Sequence, residues 1–260
     1  MPNVYSKEWF SLFLSQPDPA ATAAEAAFVL RVLRLMQPAA PTPRLLDLCC
    51  GYGRHALSLA AGGCRVVGID RDAGAIAAAR AAAAEQAAEL PPGCTPEFLR
   101  MDMRGISRLN GPFDAAICLW HSFGYFTPAQ NRSLLLSLAR LLRPGGVLIL
   151  DVYNRDFMQA HTGTRRMHKN GLEVTEQVRR EGSRFFVSLA YGGAETPGDA
   201  FEWELYTPRE LAALGGSCGL TCTAACERFD ERRPVSGKEA RMQLVLKKAA
   251  VPMRPEKKDG

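Results

Sequence analysis

The sequence lacks the closely spaced cysteine pairs that zinc ribbons and disulfide-rich domains use. Its eight cysteines are scattered over 260 residues. Cys218, Cys222 and Cys226 are spaced by four and would share one face on a helix, but Gly219 and the β-prone run after it favour a helix end followed by a strand. We therefore expect no metal site and interpret the cysteines as buried thiols in a reducing cytoplasm.

A long uninterrupted apolar run is also missing. The apolar stretch from Ala20 to Met36 is broken by Glu25, Arg31 and Arg34, so it predicts an amphipathic helix rather than a membrane span. No secretory signal is visible either. These absences predict a cytoplasmic protein with no membrane partner.

Positive charge exceeds negative charge only slightly, and much of the excess lies at the C-terminus. Residues 247–260 hold five basic and two acidic side chains, which supply +3 of the net charge of +5. The rest of the chain is nearly neutral and has no basic stripe, which argues against a nucleic-acid partner. The Lys- and Pro-rich composition predicts a disordered tail over residues 249–260.

The most informative segment that is present runs from residue 45 to residue 55 and reads LLDLCCGYGRH. It predicts an apolar strand, a small-residue turn and a helix that starts at Arg54. The first backbone amides of this helix point to the place where the turn lets a ligand approach the main chain. The spacing Gly51-x-Gly53-x-x-Ala56 satisfies the dinucleotide fingerprint. The turn also suits S-adenosylmethionine, which has no phosphate. Asp47 favours the latter, because a carboxylate repels a pyrophosphate and attracts an ammonium group.

Acids also end the next two predicted strands. Asp70 ends the strand that begins at Arg65, and Asp102 ends the strand that begins at Pro96. Asp72 is the better N-cap for the Ala-rich helix that follows, which leaves Asp70 free to bind ribose hydroxyls. Three neighbouring acids at the carboxyl ends of strands predict a ligand site at that edge of the sheet.

The first half of the chain alternates strand and helix. A strand over Phe113–Leu119, a helix over Thr127–Leu142 and a strand over Val147–Val152 continue the pattern. The alternation predicts an α/β fold with a doubly wound parallel sheet and right-handed crossovers. Residues 155–206 depart from it and contain β-prone pieces separated by Gly-rich turns, which predicts an antiparallel insertion.

The order of these motifs resembles that of class I (Rossmann-like) S-adenosylmethionine-dependent methyltransferases, closest to their bacterial small-molecule branch. The resemblance covers residues 9–248, loosely between 155 and 204, and rests on D-x-CCGxGRH from Asp47, the acid at Asp70, Asp102-Met103, Phe113-Asp114 and LRPGG from Leu142. It implies a seven-stranded, mostly parallel sheet whose last strand is antiparallel. Residues 1–154 and 207–248 would form the core, with residues 220–229 and 241–247 as its final strands. Residues 155–206 would cover the acceptor pocket.

The resemblance also implies roles for individual residues. Asp47, Gly51 and Gly53 would line the methionine and ribose side of the cofactor, and Asp70 would bind the ribose. The remaining cofactor contacts would come from Arg71, Asp102, Met103, Leu119, Tyr5 and Trp9, with Asp102 and Met103 at adenine, the Leu119 carbonyl at the ammonium, and Tyr5 and Trp9 in a lid. Cys49 departs from the family, which usually has Gly there, so we expect a β-region backbone at Cys49.

His121 follows the fourth strand and would point at the transferred methyl group. It is either a general base or a residue that only shapes the pocket and hydrogen-bonds the acceptor. Further acceptor-pocket candidates are Tyr125, Tyr153, Asn154, Arg155, Trp203 and Tyr206. Arg155, with Arg165, Arg166 and Arg241, would bind a carboxylate on the acceptor.

Absences narrow the acceptor as well. Residues 119–122 read LWHS and lack the acid-or-Asn, Pro, Pro, aromatic pattern that similar enzymes use for adenine or glutamine amides. The sequence thus predicts an enzyme that transfers methyl from S-adenosylmethionine to O or N of a small molecule, leaving S-adenosylhomocysteine. The alternatives are an NAD-dependent oxidoreductase, a non-catalytic S-adenosylmethionine-binding protein, and an RNA or protein methyltransferase. The oligomeric state stays open.

Overall fold

The computed structural model describes residues 3, 5–14, 18–36 and 42–250, so most of the predicted tail lies outside the described residues. The helices are α1 (Lys7–Trp9), α2 (Pro19–Met36), α3 (Arg54–Ala61), α4 (Ala73–Gln86), α5 (Pro128–Leu141), α6 (Arg155–Ala160) and α7 (Pro208–Gly216). The strands are β1 (Arg44–Leu48), β2 (Arg65–Asp70), β3 (Glu97–Arg100), β4 (Phe113–Cys118), β5 (Leu142–Tyr153), β6 (Gly163–Lys169), β7 (Leu172–Glu181), β8 (Arg184–Tyr191), β9 (Asp199–Glu204), β10 (Leu220–Glu227), β11 (Asp230–Pro234) and β12 (Arg241–Lys248). A π-helical turn (Phe10–Leu14) follows α1, and a 3-10 helix (Met103–Arg108) follows β3.

The main sheet has eight strands in the order β11-β10-β12-β5-β4-β1-β2-β3. Strands β1 to β5 run parallel to their neighbours within this group, whereas β12, β10 and β11 are antiparallel additions. The parallel strands are apolar because both faces of the sheet are covered. Their carboxyl ends therefore meet at one edge, which is where ligands bind in such sheets.

Helices cover the main sheet on both sides. Phe28 of α2, Leu59 of α3 and Ile76 of α4 belong to the buried cluster on one face. Leu135 of α5 and Leu211 of α7 belong to the cluster on the other. This arrangement is the doubly wound α/β fold that the alternation of strands and helices predicts, and it confirms the fold class. No helix of the described residues is long and apolar enough to cross a membrane.

A second sheet, β6-β7-β8-β9, is antiparallel throughout. Its apolar face forms a separate buried cluster that includes Val174, Phe185, Phe201 and Trp203, and Tyr5 packs against this cluster. The β-prone pieces within residues 155–206 account for β7, β8 and β9. Strand β6 was not predicted, because its sequence TRRMHK between Thr164 and Lys169 is polar and mostly exposed.

The main sheet has one strand more than the seven that the resemblance implies. The extra strand, β11, follows a tight turn in which Arg228 and Phe229 have φ of 56° and 55°. Two successive positive φ values match the hairpin turn that glycine and asparagine usually form. Neither glycine nor asparagine is present at this turn, so the sequence carries no signal for the hairpin.

Candidate active site

A cavity of about 990 Å³ lies where the carboxyl ends of β1, β2 and β4 meet the second sheet and the N-terminal segment. Cavities that enclose a drug-sized ligand measure about 300–1,000 Å³, so this one has room for a cofactor and a small acceptor together. We name two parts of it. The cofactor side is lined by Asp47, Cys49 to Tyr52, Asp70 to Asp72, Met101 to Met103 and Leu119; the acceptor side is lined by Tyr5, Trp9, Phe13, His121, Tyr125, Tyr153, Lys169, Glu176, Val187, Leu189, Phe201 and Trp203.

The turn after β1 has a left-handed backbone at three of five positions. Cys49, Gly51 and Gly53 have φ of 56°, 52° and 79°. The expectation of a β-region backbone at Cys49 is therefore wrong. The Cys50 amide, which follows, donates to the Ile69 carbonyl (3.0 Å), and this bond fixes the turn against β2. Left-handed backbone at a residue with a Cβ stores strain, which is typical of functional turns.

The two glycines of this turn serve different purposes. A Cβ added at Gly51 would meet no atom of the described residues within 4 Å, and Gly51 lines the cavity. A Cβ at Gly53 would come within 2.6 Å of the Phe98 ring. Gly51 thus leaves room for a ligand to approach the backbone, whereas Gly53 is required by packing beneath the site.

Asp47 is 2% exposed, and its Oδ2 is buried with no hydrogen-bond partner among the described residues. Burial raises the pKa of Asp47 to about 8; the Arg54 charge opposes this rise and the Asp70 charge adds to it. An unpaired buried carboxyl group is costly, and a bound cation would relieve that cost. The cofactor side therefore offers a ready site for an ammonium group.

Asp70 is held so that it faces the cavity. Its Oδ2 accepts the Gly51 amide (3.0 Å) and its Oδ1 accepts the Asp72 amide (2.9 Å). Asp72 caps α4 by accepting the Ala75 amide at 2.7 Å, which confirms the predicted N-cap. A carboxylate oxygen accepts more than one hydrogen bond, so Asp70 keeps acceptor capacity for a pair of hydroxyls.

Asp102 lines the cavity but is already paired. Its carboxylate accepts the Arg104 amide (2.8 Å) and two guanidinium N–H groups of Arg104 (2.9 and 2.7 Å). These hydrogen bonds lower the pKa of Asp102. The neighbouring Met103 is buried, with its Sδ 3.9 Å from Cys49 Sγ. Leu119 also borders the cofactor side.

The N-terminal segment covers the cavity. It is hydrogen-bonded to a residue that follows a strand of the main sheet and to a strand of the second sheet. Arg71, after β2, donates to the Asn3 carbonyl, and Asn3 in turn exchanges hydrogen bonds with the backbone of Glu202. Tyr5 hydrogen-bonds the Tyr125 hydroxyl. The Tyr5 and Trp9 rings are in contact, with centroids 4.2 Å apart and planes tilted by 42°. Both rings line the cavity, as a cover over a bound ligand would.

His121 also lines the cavity, next to Tyr153. The two rings are parallel within 8° with centroids 3.7 Å apart. Within the described residues, His121 Nδ1 is buried without a hydrogen-bond partner. Burial lowers the pKa of His121 to about 3, because the surroundings disfavour the charged imidazolium. The imidazole is therefore neutral at physiological pH.

Of the other predicted acceptor residues, Tyr125, Tyr153 and Trp203 line the cavity and three are engaged elsewhere. Asn154 caps α6 through the Asp156 amide (3.1 Å). Arg155 forms an ion pair with Glu210, and the Tyr206 hydroxyl accepts a hydrogen bond from Asn131 (3.1 Å). The arginines expected to bind an acceptor carboxylate are paired as well: Arg165 with Glu176, Arg166 with Glu173, and Arg241 with Asp151 and Glu25.

Sequence reasoning missed a buried ionic cluster behind the site. Glu25 of α2 is 4% exposed and accepts hydrogen bonds from His55 Nε2 (2.6 Å) and Trp120 Nε1 (3.0 Å). Burial alone would raise the pKa of Glu25, but the His55 hydrogen bond and the Arg54 charge lower it to about 2. The available signal was the acid itself, which interrupts the apolar face of α2.

The described residues hold no group of three or more His, Cys, Asp or Glu side chains arranged to bind a metal ion.

Residues 45–146 match the family model for a methyltransferase domain. The chain is 33% identical over 112 residues to the Bacillus subtilis (strain 168) protein YqeM, which is named a methyltransferase; the match covers 43% of this chain and 42% of YqeM. The chain thus spans less than half the length of this curated relative.

Two solved structures share the fold over nearly the whole chain. An S-adenosylmethionine-dependent methyltransferase from Clostridium acetobutylicum ATCC 824 has a TM-score of 0.74 at 16% identity, with 94% of this chain and 97% of that chain covered. S-adenosylmethionine-bound CalS10, an amino pentose methyltransferase from Micromonospora echinaspora, has a TM-score of 0.63 at 22% identity, with 96% and 100% covered. These similarities establish the Rossmann-like methyltransferase fold.

Proposed function

We propose that this chain, which carries a methyltransferase domain of the class I S-adenosylmethionine-dependent family, transfers a methyl group from S-adenosylmethionine to O or N of a small molecule. The observation that carries the proposal is Asp47, a buried carboxyl group whose Oδ2 has no partner among the described residues at the edge of the cavity. An ammonium group is the natural partner for such a carboxylate. The ionised form of the same carboxyl group would repel a pyrophosphate at this turn.

The remaining residues of the cofactor side fit the same molecule. Gly51 would let the cofactor approach the backbone, and Asp70 would accept hydrogen bonds from the ribose hydroxyls. Asp102 and Met103 would border the adenine, with Leu119 near the ammonium and Arg71, Tyr5 and Trp9 closing over the ligand. When bound, this cofactor supplies a methyl carbon activated by its sulfonium. The protein then has to align the acceptor and exclude water.

His121 serves better as a neutral pocket residue than as a general base. A base whose pKa is about 3 accepts a proton only weakly at neutral pH. Its imidazole is instead held parallel to Tyr153 on the acceptor side of the cavity. We assign His121 to orienting the acceptor, together with Tyr125 and Tyr153.

A small-molecule acceptor is supported by the shape of the cavity. The second sheet and the N-terminal segment cover it, and its acceptor side is mostly aromatic. Residues 155–206 would act as the acceptor-specificity region of the molecule. The structural likeness to an amino pentose methyltransferase is consistent with an acceptor of this size.

The test is calorimetric titration of ligand-stripped protein with S-adenosylmethionine, S-adenosylhomocysteine and NAD. We expect the first two to bind and NAD not to bind. Asp70→Ala should weaken S-adenosylhomocysteine binding at least about tenfold, because two ribose hydrogen bonds worth roughly 1 kcal/mol each are lost. Asp230→Ala, on the edge strand β11, is the matched control. Tight NAD binding without binding of the methyl donor would establish the oxidoreductase alternative instead.

Binding of the donor with no methyl transfer to any acceptor would favour a non-catalytic S-adenosylmethionine-binding protein. A broad panel of amines, alcohols, phenols and acids, read out by formation of S-adenosylhomocysteine, separates that alternative from an enzyme. Binding of added RNA that weakens as the salt concentration rises would favour the alternative of an RNA methyltransferase.

A further inference from the structure

Glu176 places a carboxylate on the apolar face of the second sheet. Because strand side chains alternate, Glu176 shares its face of β7 with Val174 and Val178, which are 0% and 3% exposed. The Glu176 side chain is 14% exposed and lines the cavity, whereas that of Glu173, on the opposite face, is 39% exposed. Burying a carboxylate beside valines costs free energy, which suggests that Glu176 has a functional role.

Aromatic rings line the same cavity as this carboxylate. The Tyr153 and Trp203 rings meet edge to face with centroids 5.5 Å apart, and the Tyr125 and Trp203 centroids are 6.0 Å apart. Burial, and after it the nearby Glu176 charge, raises the pKa of Tyr153 to about 12. Ring faces and a carboxylate together form the kind of pocket that attracts an organic cation.

The other charged or titratable side chains near Glu176 do not prevent it from binding a cation. Arg165 forms an ion pair with Glu176 from β6, but its side chain is 53% exposed, so it can turn into solvent when another cation arrives. Lys169 lies over the Phe13 ring at the exposed end of β6. His121 is neutral and does not repel a cation. Among the described residues of the second sheet that line the cavity, Glu176 and Lys169 are the charged ones.

We propose that Glu176 anchors a basic amine on the acceptor, so that the methylated atom is an amine nitrogen held among Tyr125, Tyr153 and Trp203. This inference rests on the proposed function and deepens it by choosing nitrogen over oxygen. Glu176 receives the acceptor as an ammonium ion in place of Arg165.

The reaction balances without another reactant. The bound ammonium first gives up one proton to solvent, by way of the Glu176 carboxylate, and becomes a neutral amine. The amine nitrogen then forms a bond to the methyl carbon, and the electron pair of the broken carbon–sulfur bond stays on sulfur. The products are a methylated ammonium ion, S-adenosylhomocysteine and the released proton.

The experiment compares Glu176→Gln with Glu173→Gln, a matched change on the outer face of the same strand. Each protein is saturated with S-adenosylhomocysteine and titrated with benzylamine, cyclohexylamine and glucosamine, each beside its hydroxyl counterpart benzyl alcohol, cyclohexanol or glucose. We expect at least one amine to bind more tightly than its counterpart. Glu176→Gln should weaken that amine at least about tenfold, because a charge-assisted hydrogen bond is lost. Glu173→Gln should change it by less than about twofold.

Thermal melting and S-adenosylhomocysteine affinity of both variants show whether they are folded, and Glu176→Asp serves in place of Glu176→Gln if that variant unfolds. Amines that bind no better than their alcohols, or equally well to Glu176→Gln, would overturn the proposal. The proposal would also be overturned if phenylacetate bound more tightly than the amines and Lys169→Gln abolished that preference. In each of these outcomes S-adenosylhomocysteine still binds, whereas failure of the proposed function would remove that binding itself.

Discussion

The backbone amide of Trp120 donates a 2.8 Å hydrogen bond to the buried carboxylate of Asp151, which is 0% exposed. The next amide, that of His121, donates to the Asp151 carbonyl at 3.0 Å. Trp120 and His121 have φ of 59° and 64°, so two successive residues with side chains hold a left-handed conformation. That conformation costs energy, and Asp151 supplies the bonds that offset it.

Asp151→Asn should therefore destabilise the protein and disturb the site together. The Arg241 guanidinium also bonds the Asp151 carboxylate, so the change leaves a largely buried charge with fewer partners. We expect the free energy of unfolding in urea to fall by roughly 3 kcal/mol. Binding of S-adenosylhomocysteine should weaken as well, because Leu119 and the adjacent Trp120 both line the cavity.

Asp230→Asn is the control for this change, since Asp230 forms an exposed pair with Arg232. It should alter stability by no more than about 0.5 kcal/mol. Equal effects of the two substitutions would show that Asp151 does not support the Trp120–His121 turn.

Replacing His121 tests whether it acts as a base. Since the pKa of His121 is lowered to about 3, its protonation should leave no inflection between pH 6 and 7 in the profile of kcat/KM. His121→Gln keeps a hydrogen-bonding side chain and should retain turnover within about tenfold, since base catalysis typically contributes 10²–10⁴-fold. The profile and initial rates are measured with any acceptor that the panel yields.

His161→Gln, on α6, provides the comparison, because its ring stacks on Phe157 away from the residues that line the cavity. A profile with an inflection near pH 6.5 that His121→Gln removes and His161→Gln preserves would restore the general-base role.

The sequence predicts the edge of the main sheet well because strong local signals determine it. Apolar runs that end in Asp70 and Asp102, and the glycine turn after Asp47, are features of neighbouring residues. Asp72 as the cap of α4 follows from the same kind of signal. The alternation of strands and helices predicts the fold class, but it does not specify the order of the strands in the sheet.

Part of the acceptor side is not predictable from local sequence, because long-range strand pairing builds it. Asn154, Arg155 and Tyr206 lie near the ends of elements that point toward the ligand edge, yet a cap, Glu210 and Asn131 engage them. Glu176 gave no signal in an alternating strand, since only the position of the second sheet decides which face of β7 meets the cavity. Cys49 adopts a left-handed backbone because bonds on either side of it outweigh its own preference.

Asp47 should make cofactor binding depend on pH. Its pKa is raised to about 8 in the ligand-free protein, and an ammonium group needs the ionised form. Affinity for S-adenosylhomocysteine should therefore rise between pH 6 and 8, by up to about tenfold per pH unit, with release of a proton. Because the folded-state pKa exceeds the unfolded value, the ligand-free protein should also lose stability as pH rises toward 8.

Calorimetry in two buffers with different ionisation heats measures the proton release directly. Asp47→Asn should bind more weakly and show a flat dependence over the same range. A wild-type affinity that does not change between pH 6 and 8 would contradict the role assigned to Asp47.

The two glycines of the turn should respond differently to alanine. Gly53→Ala forces a Cβ against the Phe98 ring and adds left-handed strain, so we expect a loss of about 2–4 kcal/mol in the free energy of unfolding. Gly51→Ala carries the strain without the clash and should cost about 1–2 kcal/mol. Its larger effect should be on S-adenosylhomocysteine affinity, because the new methyl group enters the space beside the ligand.

Urea unfolding and calorimetry on both variants separate the two effects, and the double change Gly53→Ala with Phe98→Leu provides the internal check. Phe98→Leu frees the space that the new Cβ requires, so the double variant should be more stable than the sum of the two single losses predicts. Additive losses would mean that Gly53 is needed for its backbone conformation alone. A Gly51→Ala protein that binds S-adenosylhomocysteine as tightly as the wild type would remove Gly51 from the cofactor side.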